Sequence, residues 1–255
     1  MTRKLAIAAL IAFLVMLFAL YTLPARIAWR LVQFKVPNVQ LVGLHGTLWN
    51  GNADTVLVAN QALGKLIWQI APASVFRLAP RVQLKLDGAT VQLEGFAQQS
   101  GSNWVVSALT ASADASWLAP AIGIPAVIPT GKLAFNFSEL SVDQRGLPLR
   151  VQGNVQWLSA GVTGLAQADF GSFDVSIKND ASGAISGTVS AIGTAALDIS
   201  GSFSLKGESY DAEIMLRQNI SNPNIERALN LIGEPIAGSP GARLLKIHGV
   251  LVLPK

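Results

Sequence analysis

The sequence predicts a mainly β protein, in which an N-terminal transmembrane helix precedes a curved, largely antiparallel β-sheet with one apolar face and one or two short helices. Apolar and polar residues alternate with a period of two through most of the chain after residue 40. Clusters of Gly, Asn and Asp recur between the alternating runs, where turns belong. Ahead of them stands one uncharged stretch long enough to cross a bilayer.

That stretch runs from Leu5 to Leu23. At about 1.5 Å per helical residue it spans roughly 28 Å, close to the thickness of a hydrocarbon core. A cleaved signal peptide is the rival reading, but it would have a shorter apolar core and a small-x-small exit, whereas the exit here is Tyr21-Thr22-Leu23-Pro24. An uncleaved anchor is expected. Charge does not orient it, because Arg3, Lys4 and the terminal amine on one side face Arg26, Arg30 and Lys35 on the other. A tail of four residues cannot be a domain, and a large domain translocates largely regardless of its charge, so the N-terminus is expected inside. The organisation is then 1–4 cytoplasmic tail, 5–23 transmembrane helix, 24–40 juxtamembrane connection and 41–255 periplasmic β-rich domain.

Pro24 to Phe34, with Ile27, Trp29, Arg30 and Leu31, is expected to continue the membrane helix past its proline, with Trp29 and the arginines at headgroup level. Next comes the most informative segment, Leu41-Val42-Gly43-Leu44-His45-Gly46-Thr47-Leu48-Trp49-Asn50-Gly51-Asn52-Ala53, followed after a gap by Leu66-Ile67-Trp68-Gln69-Ile70-Ala71-Pro72. It reads as a strand, a tight glycine turn and a second strand, which places Trp49 at the membrane-proximal start of the sheet and Trp68 on a neighbouring strand. Val82 to Gly95 reads as a hairpin. With Asp87-Gly88 as a two-residue type I′ loop, Leu86 faces Ala89, Leu84 faces Val91 and Val82 faces Leu93.

The same alternation returns at Leu133, Phe135 and Phe137, at Leu147, Leu149 and Val151 leading to Val155 and Trp157, and at Phe173, Val175 and Ile177. It continues through Ile185 and Val189, then Leu197, Ile199, Phe203 and Leu205, then Tyr210, Ala212, Ile214 and Leu216, with Asn179-Asp180 as one of the turns between. Burial on both faces would give continuous apolar runs, so the pattern describes an antiparallel meander with one apolar face. Trp117 to Pro129, with three prolines and a glycine, is expected to be an ordered connection. Asn222-Pro223, then Ile225, Leu229, Ile232 and Gly233, reads as a short amphipathic helix with an Asn cap, a Pro in its first turn and a Gly stop.

Composition narrows the function. Of 255 residues 51% are hydrophobic and 13% charged, which suits one membrane segment plus one globular β domain. The net charge of +4 includes several residues flanking the apolar N-terminus and leaves no basic stripe, so nucleic acid is not expected as a partner. With no cysteine, disulfides, thiolate catalysis and Cys-based metal sites are excluded. Neither His45 nor His248 has a partner at metal-ligand spacing, and both read as surface or strand histidines. No nucleophile elbow, dinucleotide fingerprint or P-loop occurs, since Gly183-Ala184-Ile185-Ser186-Gly187 sets its serine one position late. Asp211 and Glu213 share an outward strand face, as solvated acids do. No catalytic residue, cofactor site or metal site is expected.

Several features together resemble a known family: the N-terminal anchor, the Gly43-Leu44-His45-Gly46-Thr47-Leu48-Trp49-Asn50-Gly51 element, the Leu66 to Pro72 segment, a Pro129-Thr130-Gly131-Lys132-Leu133 strand entry and a C-terminal helix leading to a Gly-rich strand. In this order, over nearly the whole chain, they resemble the type II secretion system protein N family. The residues that carry the likeness, Gly43, Gly46, Thr47, Leu48, Trp49, Gly51, Trp68 and Pro72, are structural. The resemblance implies a single-pass subunit of a Gram-negative inner membrane, in the machine that exports folded periplasmic proteins across the outer membrane. It implies as partners other inner-membrane subunits and the secretin, and no cofactor. The family is also similar, more loosely, to AsmA-type envelope proteins, which share an anchor and a curved sheet with an apolar inner face. That likeness implies a second reading, a lipid-handling module whose groove would be lined by Leu84, Val91, Phe135, Val151, Val175 and Ile199. A third, a hydrolase pairing a serine with His45 or His248, has no motif behind it.

Overall fold

The computed structural model describes residues 11, 14–16, 18–33, 38–58, 61–76, 79–119, 127–164, 167–219, 223, 225–226, 229, 234–236, 238–239 and 241–250. They hold fourteen strands and few helices, so the protein is mainly β as its alternation predicts. Two compact units divide the chain, residues 1–98 and residues 99–255.

In the first unit β1 (Val39–Gly46), β2 (Asn50–Val58), β3 (Gln61–Ile70), β4 (Arg81–Asp87) and β5 (Val91–Ser100) follow one another, each antiparallel to the next. The 8-residue helix α1 (Ala25–Val32) precedes them, and the 5-residue helix α2 (Pro72–Phe76) returns the chain from β3 to β4. Register lines up Leu44, Ala53, Leu66, Leu86 and Leu93 as one apolar row. Beside it lies a row of Gly46, Gly51, Trp68, Leu84 and Gly95. Since side chains two apart share a face, the first row forms the bottom of the core and the second leaves room for one large ring.

The β4–β5 hairpin forms, but with a different register from the one predicted. Leu86 faces Leu93, Leu84 faces Gly95 and Val82 faces Ala97. The type I′ reading fails because its central residues need φ > 0, and neither Asp87 nor Gly88 adopts it. Gly88 is a glycine for another reason: a Cβ there would strike the Leu63 carbonyl oxygen on β3. The register changes by an even number, so the apolar face is preserved.

The second unit contains β6 (Asn103–Asp114), β7 (Val127–Val142), β8 (Pro148–Gly164), β9 (Ala168–Asn179), β10 (Ile185–Ile192), β11 (Leu197–Lys206) and β12 (Ser209–Gln218) as an antiparallel meander. β14 (Ala242–Val250) pairs with β12, and the two-residue β13 (Glu234–Pro235) pairs with the outer side of β14. Phe135, Val155, Val175 and Val189 stand in register across four strands, continued by Gly201 and Ile214. Their sequence neighbours Asn136, Asn154, Ser176, Thr188, Ser202 and Glu213 form a polar row on the opposite face. None of the six residues that a lipid groove would need is exposed, and Val151 is buried.

Two turns use the same chemistry. The Oδ1 of Asp143 accepts the N–H of Arg145 and of Leu147, each at 2.8 Å, and the Oδ1 of Asp180 accepts from Ser182 N–H at 2.8 Å and Ala184 N–H at 3.0 Å. The glycine of each turn, Gly146 or Gly183, has φ +83°. Both carboxyls are held below their usual range, Asp143 chiefly by the Leu147 N–H and Asp180 chiefly by the Ser182 hydroxyl.

Two other expectations need correction, the connection before β7 and the helix continuing past Pro24, while the short C-terminal helix holds where it is described. The connection from Trp117 to Pro129 is not wholly irregular: Ala115–Leu118 is a 3-10 helix, and β7 already begins at Val127. Pro223, Ile225, Glu226 and Leu229 are helical, with Ile225 and Leu229 packed on Ala168, Leu197 and Leu216, while the Asn222 cap and the Gly233 stop lie outside the described residues. At the N-terminus, Ile11, Leu14 to Met16 and Phe18 to Tyr21 are helical, and the rest of the predicted span, including Leu5, lies outside the described residues. Among the described residues no helix is long and apolar enough to cross a membrane. Nor does that helix run on through its proline. Pro24 is extended, with φ −64° and ψ 140°, and its ring breaks the preceding helix by disfavouring a helical Leu23 and supplying no N–H.

Candidate functional site

The break at Pro24 lets the chain that leaves the N-terminal helix join the sheet. Pro24 forms an antiparallel bridge with Thr47, and the Leu48 N–H donates to the Leu23 carbonyl at 2.9 Å. The indole Nε1 of Trp49 donates to the Leu20 carbonyl at 3.0 Å. On the other side, Trp68 Nε1 donates to the Leu48 carbonyl at 3.1 Å, and the Ile70 N–H donates to the Trp49 carbonyl at 2.7 Å. Leu48-Trp49 therefore ties the helix end to β3 through four hydrogen bonds, together contributing roughly 4 kcal/mol at about 1 kcal/mol each.

The residues around this dipeptide fit the arrangement. Gly46 has φ +83°, the left-handed conformation that the exit from β1 requires. The Thr47 N–H donates to the Asn50 carbonyl at 2.9 Å, and the Thr47 hydroxyl accepts the Asn50 N–H at 3.2 Å, so the turn is closed from both ends. Gly51 leaves open the space that the Trp68 ring fills, and a Cβ there would also lie 2.7 Å from the His45 carbonyl oxygen. Gly43, with φ +68°, gives way to the Asp54 side chain.

α1 then packs against β1. Ala25 and Ala53 are buried with Leu44, and Trp29, Leu41, Leu66 and Trp68 pack around them. Alanine at 25 and 53 is what lets the helix approach, since any longer side chain would hold it off. Between helix and sheet remains an apolar cavity of about 230 Å³ lined by residues including Trp29, Leu48, Trp68 and Leu84. The Nε of Arg26 donates to the Leu44 carbonyl at 3.0 Å.

Seven of the eight sequence-predicted residues, Gly43, Gly46, Thr47, Leu48, Trp49, Gly51 and Trp68, thus belong to one seam between the N-terminal helix and the sheet. Pro72 does not; it opens α2, where its missing N–H is harmless. Sequence reasoning missed Leu23 and Arg26, which bond to the seam through main chain or to main chain and so leave no pattern. Replacing Trp49 by Phe keeps a ring and removes only the bond to Leu20. We expect the full chain in detergent to lose about 1 kcal/mol, read from the urea midpoint.

Among the described residues catalytic groups do not converge. His45 Nε2 lies 3.4 Å from Asp54 Oδ2, with both side chains more than half exposed. His248 stands opposite Asp211 across β12 and β14, on a polar surface with Lys178, Glu213 and Lys246. Among the described residues no group of His, Asp and Glu could hold a metal ion.

The profile of the family described as Type II secretion system (T2SS), protein N, matches residues 37–242. A protein of Aeromonas hydrophila described as Type II secretion system protein N is 30% identical over 165 residues, covering 63% of this chain and 64% of its own length. The chain thus aligns with just under two thirds of that relative. No solved structure matches it.

Proposed function

The chain belongs to the type II secretion system protein N family, and on that premise we propose that it is a non-enzymatic accessory subunit of the secretion machine, held in the inner membrane by its N-terminal helix with the β-rich part in the periplasm. The family match over residues 37–242 carries this reading. The seam gives it a physical form: two hydrogen bonds fix the end of the N-terminal helix to the first turn of the sheet and two more fix that turn to β3, so an anchored helix would hold the sheet at the membrane surface. The exposed apolar side chains of Phe18 and Val15, 69% and 62% accessible, suit a helix surrounded by lipid. Other inner-membrane subunits and the secretin are the partners, met through sheet edges and the polar face.

Deleting the gene is expected to leave folded cargo enzymes in the periplasm, and the full chain supplied in trans to restore their release. Normal release without the chain contradicts the proposal. Orientation is read separately. The chain lacks cysteine, so a single Ser202→Cys is expected to react with an impermeant maleimide once the outer membrane is opened, whereas Thr2→Cys stays unlabelled until the inner membrane is broken.

A further inference from the structure

Among the described residues β1 is paired on one side only. Within its unit it is the edge strand, and its free side faces α1 across a groove of about 480 Å³ lined by Val39 to Leu44 and by Arg26, Trp29, Arg30 and Gln33. Edge strands are commonly blunted by proline, lysine or a covering segment. β1 contains neither residue, and its Val42 is 51% exposed. In the second unit β14 is treated differently, since Pro235 and Glu234 of β13 pair with its Arg243 and Leu244.

The charge of the groove is one-sided. Arg26 and Arg30 are four residues apart on α1 and therefore project from one helix face. Among the described residues neither makes an ion pair, and no carboxylate lines the groove. The Arg26 bond to the Leu44 carbonyl holds one guanidinium against the strand edge. A peptide main chain can use the free N–H and C=O groups of such an edge, and its acidic side chains can reach the two guanidiniums. A lipid phosphate could use only the guanidiniums and would leave the strand edge and Val42 without a partner.

We propose that the groove between β1 and α1 receives an extended, carboxylate-bearing segment of a partner protein, which adds to the sheet as a strand beside Val39–Leu44. The proposal rests on the secretion-subunit reading and names where and how that subunit grips its neighbour. Six residues of β1 span about 20 Å, enough for a short strand.

The test places the photo-crosslinker p-benzoylphenylalanine at Val42 of the full chain, in cells that carry the whole machine, with the same group at Ser202 as control. Irradiation is expected to join Val42 to a segment of another protein, and peptide mapping to find carboxylates in that segment. Arg30→Glu is expected to lower the yield roughly tenfold or more, a change of about 1.4 kcal/mol. Arg150→Glu, in the second unit, leaves it unchanged, and immunoblotting checks that each variant is present in equal amount. A product with phospholipid alone, with a second copy of this chain, or with a segment free of carboxylates overturns the proposal, as does no product or a yield indifferent to Arg30→Glu. The two readings fail separately. If deletion blocks secretion while Val42 gives no such product, the groove is wrong and the function stands; if deletion leaves secretion intact, the function is wrong.

Discussion

Trp68→Ala is expected to destabilise the first unit by about 3 kcal/mol, near the lower end of the range for removing a large aromatic, because the indole is only partly buried. Two losses combine. The ring packs with Ala25, Leu44 and Ala53, and its removal would enlarge a cavity that already measures about 230 Å³. Its Nε1 also satisfies the Leu48 carbonyl, which would be left without its donor. Urea unfolding of the full chain in detergent, followed by circular dichroism, reads the change as a lower midpoint. Trp68→Phe separates the losses, since it keeps most of the packing and forfeits the hydrogen bond. A midpoint within error of wild type for Trp68→Ala would mean that the indole is not packed against the seam.

Gly51→Ala is the reciprocal experiment. Gly51 has no left-handed φ, so alanine brings no backbone strain and the substitution tests space alone. The added Cβ meets the Trp68 ring and lies 2.7 Å from the His45 carbonyl oxygen. The ring can shift a little, but the carbonyl belongs to β1 and cannot. Overpacking of this kind costs about 1–3 kcal/mol. In a Trp68→Ala background the cost is expected to fall, because the ring contact is gone, and to stay above zero, because the carbonyl remains. That non-additivity is the signature of direct contact. If the two substitutions add, they do not touch.

The parts of this molecule that were legible in the sequence are those with a local signal. Alternation at Leu133-Phe135-Phe137 or Phe173-Val175-Ile177 marks strands because every second side chain must reach the same face. Gly46 and Gly51 marked a tight turn, while the room that Gly51 leaves for the Trp68 ring carried no local signal. The parts that were not legible are non-local. Leu23 and Leu48 pair across 25 positions through main-chain atoms, which no side-chain pattern encodes. Arg26, counted in the sequence as a charge flanking a membrane, spends its Nε on the Leu44 carbonyl. Gly88 looked like half of a two-residue loop and is instead a glycine because β3 comes close. The repeated Asp-x-x-Gly turns at Asp143 and Asp180 could have been found from spacing, since each puts a carboxylate three residues before a glycine.

The account depends most on the pairing of Leu23 with Leu48, which joins the N-terminal helix to the sheet. Paired antiparallel residues lie about 5.5 Å apart at Cα, within the span of a disulfide. A full chain carrying Leu23→Cys and Leu48→Cys has no other cysteine to compete. Mild oxidation in native membranes is expected to lock most of it into an intramolecular disulfide, seen as a mobility shift that reductant reverses. A chain with Leu23→Cys and Val58→Cys, the latter at the far end of the β1–β2 pair, should not lock. If the Leu23–Leu48 pair forms no more disulfide than that control, the helix is not held at the seam.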